Sequence, residues 1–111
     1  MDKAKQHNPR FSYVYLWVEG RMLFLMGRYD EAAARLEAVV ARNPAFDQGH
    51  ILLAAIYGAM GRIDDAEWQA EEVLSRRPEF TISSHLKQWG YRVPEQRRLI
   101  TEGLRAAGIP D

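Results

Sequence analysis

A chain of 111 residues that is 47% apolar and 27% charged is long enough for one packed core and too apolar to remain unfolded. Fifteen basic and fifteen acidic side chains cancel, which removes the charge footprint of a nucleic-acid binder, and the absence of cysteine removes disulfides, thiolate metal sites and a cysteine nucleophile. The opening MDKAKQHNPR has no apolar stretch and does not read as an export signal, and the longest apolar run, near residues 22–26, is far short of a membrane span, so a cytoplasmic chain is expected.

Residues 13–26 are apolar at helical spacing, and Gly27-Arg28 breaks them, glycine being suited to the left-handed residue that ends a helix. Asp30 and Glu31 then fall in the first turn of a second helix, where the helix dipole favours negative charge. Ala32, Leu36, Val39 and Val40 recur at i, i+4, i+7 and i+8 on one face of it, and Pro44 ends it, because the residue before proline avoids helical angles. The plan then restarts: residues 47–60 form a helix stopped by Gly61, and residues 63–75 form another punctuated by Pro78. A short helix is expected over residues 80–89, a loop over residues 90–93, and a last helix over residues 96–107. Pro94 stands at the start of that last helix, and Leu99, Ile100, Gly103, Leu104 and Ala107 share one face. Arg97, Arg98 and Arg105 are expected on its solvated side.

The restart is an internal repeat. Sliding the chain by 34 residues aligns ten identities, among them Met26/Met60, Gly27/Gly61, Asp30/Asp64, Ala32/Ala66, Pro44/Pro78 and Phe46/Phe80. On that period and on Gly20, Ala32, Leu36 and Pro44, with Tyr57, Ala66 and Pro78 in the second unit, the chain resembles the tetratricopeptide repeat family. The fold class expected is all-α, a helix–turn–helix repeat stack of two units and about six helices, with a C-terminal helix pair as cap. The domain organisation expected is a single unit over residues 1–111, with repeats at residues 13–46 and 47–80 and capping helices over residues 80–107. Glu19 and His50 depart from the family pattern, standing where an apolar residue and a tryptophan are usual, and both imply local repacking.

Catalytic, cofactor and metal sites are not expected. His7, His50 and His85 have no ligand-type residue at i+4 on a helix face, so His50 reads as a core or groove residue. Ser84 and His85 are sequence neighbours, which points their side chains apart on a helix, and the pairs Asp64-Asp65 and Glu71-Glu72 read as solvated helix charges. What remains is a surface. The family resemblance implies that the first helix of each unit lines a groove, which places Val14, Trp17, Arg21 and Phe24 there in unit one and Gln48, Ile51, Ala55 and Gly58 in unit two, with Phe80 close by. Ala55 and Gly58 are small, so a hollow is expected beside the aromatic face.

The expected role is a non-enzymatic protein–protein interaction module for a protein or peptide partner, neither nucleic acid nor membrane. The alternative is a homodimerisation domain acting through the exposed repeat end or the aromatic groove face. A chaperone-tail clamp is disfavoured, because the slots where such repeats carry lysine and asparagine hold Trp17 and Arg21. The closing Gly103-Leu104-Arg105-Ala106-Ala107-Gly108-Ile109-Pro110-Asp111, with the Asn8-Pro9 before the first helix and Leu53-Ala54-Ala55 in the third, resembles the C-terminal repeat region of bacterial class III adenylate/guanylate cyclases. That resemblance implies a regulatory or scaffolding segment whose catalytic domain lies elsewhere.

Overall fold

The computed structural model describes residues 9–89 and 93–111, which form six helices and no strand among the described residues. They are α1 (Pro9–Leu25), α2 (Tyr29–Arg42), α3 (Asp47–Met60), α4 (Ile63–Arg76), α5 (Ile82–Trp89) and α6 (Pro94–Ala106). Most of the expected loop, residues 90–92, lies outside the described residues, as does His7. The first helix begins earlier than its apolar pattern, at Pro9, which has the fixed φ suited to an N-terminal position.

The duplicated Met-Gly-Arg has one geometry in both copies. Gly27 and Gly61 take φ of +84° and +81°. Arg28 N–H donates to the Leu23 carbonyl at 2.9 Å, and Arg62 N–H donates to the Tyr57 carbonyl at 3.0 Å, the six-to-one bond that closes a helix end. The turn then launches the next helix. Arg28 pairs with Glu31 and Arg62 with Asp65 in the opening turns of α2 and α4. Gly108, at φ +96°, ends α6 in the same way, with Ile109 N–H donating to the Leu104 carbonyl at 3.1 Å.

Within each hairpin small residues mark the crossing: Gly20 faces Ala32 and Leu36 in the first, while Ala54 and Ala66, their equivalents one period later, are fully buried in the second. Glu19, set in a usually apolar slot, accepts a hydrogen bond from the Arg35 Nε of α2 at 3.2 Å, so the departure is answered by a charge on the neighbouring helix. Between the hairpins, α3 packs on α2, and Gly49 lies against Val39 and Val40, where a Cβ would come within 3.0 Å of the Val39 methyl. The tyrosine hydroxyl of Tyr57 donates to Glu37 on α2, and burial followed by that bond holds it above the ordinary tyrosine range.

The second half of α6 lies along α3 as closely as helices can. A Cβ on Gly58 would overlap the Gly103 carbonyl oxygen and sit 2.8 Å from its carbon, and a Cβ on Gly103 would overlap the Ala55 carbonyl oxygen. Ile100, Leu104, Ala107 and Ile109 are buried with them. The chain end then returns to α5: Ile82 N–H donates to the Pro110 carbonyl at 2.9 Å and Ser83 N–H to the Asp111 carbonyl at 3.1 Å, while Ser84 N–H donates to the Thr81 hydroxyl at 3.1 Å, so the first amides of the helix each find an acceptor.

Two outcomes follow from these crossings and turns. Gly103→Ala, which in an open helix would stabilise by about 1 kcal/mol, is expected to destabilise by about 1–3 kcal/mol because α3 and α6 must part. Urea unfolding measures it, and a gain in stability would mean that the helices have room between them. Gly61→Val is expected to cost about 1–2 kcal/mol from the left-handed backbone alone, since no atom lies within 4 Å of a Cβ there. Gly61→Asn should cost visibly less, and equal losses for the two variants would point to a cause other than φ.

Candidate partner-binding site

The groove expected along α1 and α3 exists as a face and is filled by the chain itself. Ile51 and Ala55 are buried, and the hollow anticipated beside Ala55 and Gly58 is occupied by Gly103 of α6. The cause is steric: two glycines face each other, and absence of side chains on both sides produces contact, not space. Phe24 is likewise core, fully buried with its ring 5.5 Å from Tyr29. Phe80 is buried at the start of α5, its ring 5.8 Å from His85 and 5.2 Å beneath the Arg77 guanidinium.

The structure brings the other expected residues to the mouth of this filled groove. Trp17 and Arg21 of α1, Gln48, Ile51, Leu52 and Ala55 of α3, His85 of α5, and Ile100 and Leu104 of α6 line a cleft of about 10 Å³. That is room for about one water and for no larger ligand. Trp17 is half-buried: its indole N–H donates to the Gln48 carbonyl at 3.2 Å, and its ring meets Phe46 edge-on at 6.2 Å. Tyr13 meets the same Phe46 ring at 5.1 Å. Trp17 therefore ties α1 to the start of α3, a packing role that its aromatic–arginine spacing did not distinguish from a recognition role. Val14 is set apart from this cleft on the exposed side of α1, at 40% exposure.

Two histidines sit in the core. His50 occupies the slot where a tryptophan is usual and uses both ring nitrogens. Nε2 lies 2.8 Å from the Pro44 carbonyl oxygen, and Nδ1 lies 2.7 Å from the Gln69 side-chain oxygen Oε1. The ring thereby fastens the α2–α3 turn to α4. His85 is 5% exposed, and burial, followed by the nearby Arg77 and Arg21 charges, lowers it to about 4. Among the described residues no group of three or more His, Asp or Glu side chains stands close enough to hold a metal ion.

Apart from Val14, the groove positions contain no open apolar surface, and α1 supplies one on its other side. Val14, Tyr15, Val18, Met22 and Met26 are 40–64% exposed, five of the eight large apolar side chains exposed among the described residues. At about 100° per residue they share an arc of about 120°. One period later, Tyr15, Val18 and Met22 correspond to Gly49, Leu52 and Ile56, all buried, and Gly49 lies against α2. The exposed face of α1 is thus the counterpart of a buried face of α3, which at Gly49 is turned toward the preceding helix. Sequence reasoning passed over it because the pattern of α1 is apolar nearly all round, and the repeat offset, applied to burial instead of to groove positions, is the signal that identifies it.

The depressed His85 gives a signed pH effect. An unfolded imidazole titrates near 6.5, so below that pH the unfolded chain binds a proton that the folded chain refuses. The contribution is constant above about pH 7, and stability is lost as pH falls from about 6.5 toward 4, by up to about 3 kcal/mol. His85→Leu is expected to flatten that part of the profile. Urea midpoints at pH 7.5 and 4.5 measure it, and an unchanged difference between the two pH values would place the ring in contact with solvent.

Comparison with known sequences agrees with the internal period. A family model described as tetratricopeptide repeat matches residues 23–82, from the end of α1 through α4 to the start of α5, more than half of the chain. A search of curated proteins and a search of solved structures each returned no match. With two glycine-turned helical hairpins 34 residues apart, stacked α2 on α3, and a family match spanning both turns, the chain belongs to the tetratricopeptide repeat family.

Proposed function

We propose that this chain is a non-enzymatic protein-interaction module whose docking face is the exposed side of α1. Tetratricopeptide repeats generally mediate contacts with protein partners and are generally non-catalytic. The observation that carries the reading is the row Tyr15, Val18 and Met22, exposed on α1 while its counterparts Gly49, Leu52 and Ile56 are buried. A solvent-facing row of large apolar side chains is a contact surface awaiting a second body. The filled groove supports the same choice: Ile51, Ala55 and Phe80 are buried, Gly103 of α6 lies against Ala55, and Trp17, Arg21 and Gln48 border a cleft the size of a water.

The narrower reading, a regulatory region attached to a nucleotide cyclase, is supported by the likeness of the closing motif. The motif's residues have packing duties of their own. Gly103 permits the α3 crossing, Gly108 turns the chain, and Pro110 and Asp111 cap α5. No helix among the described residues is long and apolar enough to cross a membrane. A reducing, cytoplasmic setting is part of the proposal and is supported by the lack of cysteine.

A photoreactive amino acid at position 18, in the chain expressed in the cells that make it, tests the face. A discrete protein adduct is expected from position 18, with none from the exposed Glu95 of α6, and Met22→Glu should abolish it. No adduct, or the same adduct from both positions, would remove α1 as the docking face.

A further inference from the structure

We propose that Met22 and Met26 form an oxidation site through which peroxides control the α1 face: conversion of their thioethers to sulfoxides makes the row polar without unfolding the chain, and reduction restores it. The control of docking rests on the docking-face reading above and adds its regulation.

Three observations carry the proposal. First, burial separates these sulfurs from a matched internal control. Met22 and Met26 are 55% and 62% exposed, whereas Met60 is partly buried against the core. Met26 and Met60 are the same residue of the repeat. Each precedes a glycine in the left-handed conformation, at φ +84° and +81°, and an arginine paired with an acid three residues on. Local sequence and turn geometry therefore cancel between them, and access of an oxidant to sulfur is what differs. With no cysteine in the chain, methionine carries all of its sulfur. Second, the modification leaves the packing alone. Neither Met22 nor Met26 belongs to the core or packs against it, although Ile56, the counterpart of Met22 one period later, is fully buried. Third, the two residues sit where a change of polarity has an effect. They stand four residues apart in the row that begins at Val14, and Met22 follows Val18 at the same spacing, so all three share one side of α1.

The chemistry balances without a metal or cofactor. A thioether lone pair attacks one peroxide oxygen, the O–O bond breaks, and an S–O bond forms. The other oxygen leaves as water from hydrogen peroxide, or as an alcohol from an organic hydroperoxide. Sulfur gives up two electrons and the peroxide takes them. In the reverse step a dithiol removes the oxygen as water and becomes a disulfide. A sulfoxide oxygen is a hydrogen-bond acceptor, and an apolar partner that covered it would bury a polar group with nothing to bond.

Hydrogen peroxide on the purified chain, followed by peptide mass mapping, should add one oxygen to Met22 and one to Met26 ahead of Met60. Helical content and melting temperature should stay at their starting values, while retention on a hydrophobic column falls. Methionine sulfoxide reductases of both stereochemical classes should restore it. A Met22→Leu/Met26→Leu chain, still holding Met1 and Met60, should keep its retention through the same treatment. Oxidation of Met60 as fast as Met26, a melting temperature lowered by the modification, or unchanged retention after both residues are oxidised would each overturn the proposal. In cells, a peroxide pulse should cut the adduct from position 18 by about tenfold, and the double leucine chain should keep its adduct. An adduct that persists on the oxidised parent overturns control of the face. No adduct before oxidation strikes the docking face itself, and the column and the mass map still decide the oxidation site.

Discussion

There is no room for a side chain where α6 crosses α3. Gly58 and Gly103 meet backbone to backbone, with Ala55 beside them, and that approach lets Ile100 and Leu104 reach into the row formed by Ile51 and its neighbours. Without it the long apolar helix α3, buried from Gly49 to Tyr57, would have one side against α2, another against α4, and a third in water. Two repeats alone leave such faces uncovered. The crossing supplies the missing cover from within the chain. It also decides the fate of the expected groove, where Ile51 and Ala55 become core, while the exposed apolar row lies on α1.

A good part of this was legible in the sequence. The 34-residue period, the left-handed glycines at Gly27 and Gly61, the bounds of α3 and the buried face of α6 all follow from local chemistry, since each depends on residues within a turn or two of one another. The destination of α6 did not follow. Periodicity reports which side of a helix is apolar, not which helix it meets, and Gly58 is 45 residues from Gly103. A glycine opposite a bulky residue makes a hollow, whereas a glycine opposite a glycine makes a contact, and single-chain spacing does not tell them apart. Trp17 was ambiguous for a similar reason: an amphipathic indole serves equally well on a wet recognition surface and at a joint, and only the Gln48 carbonyl and the Phe46 ring beside it reveal the joint.

The two departures from the family pattern are each answered by a partner on another helix. Glu19 is met by Arg35, and His50 is met by the Pro44 carbonyl and the Gln69 amide. The second exchange trades the bulk of a tryptophan for hydrogen bonds at the α2–α3 turn. It ties that turn's backbone to α4, so the joint between the repeats is fixed by polar bonds where aromatic packing would otherwise hold it. A buried imidazole in such a place tolerates neither loss of its partners nor an apolar neighbour in place of Gln69.

The closeness of α6 to α3 has a further consequence for synthesis. A ribosome releases α3 well before α6, so during that interval the row containing Ile51, Ala55 and Gly58 lies open to water and to other nascent chains. Its own covering helix arrives last of the six described, from about 45 residues away, and the pairing cannot nucleate earlier. Folding is thus completed in an order opposite to that of an ordinary repeat array, in which each unit settles on the one before it: here the middle waits for the end, and the chain is most vulnerable to aggregation in the moments before its last helix emerges.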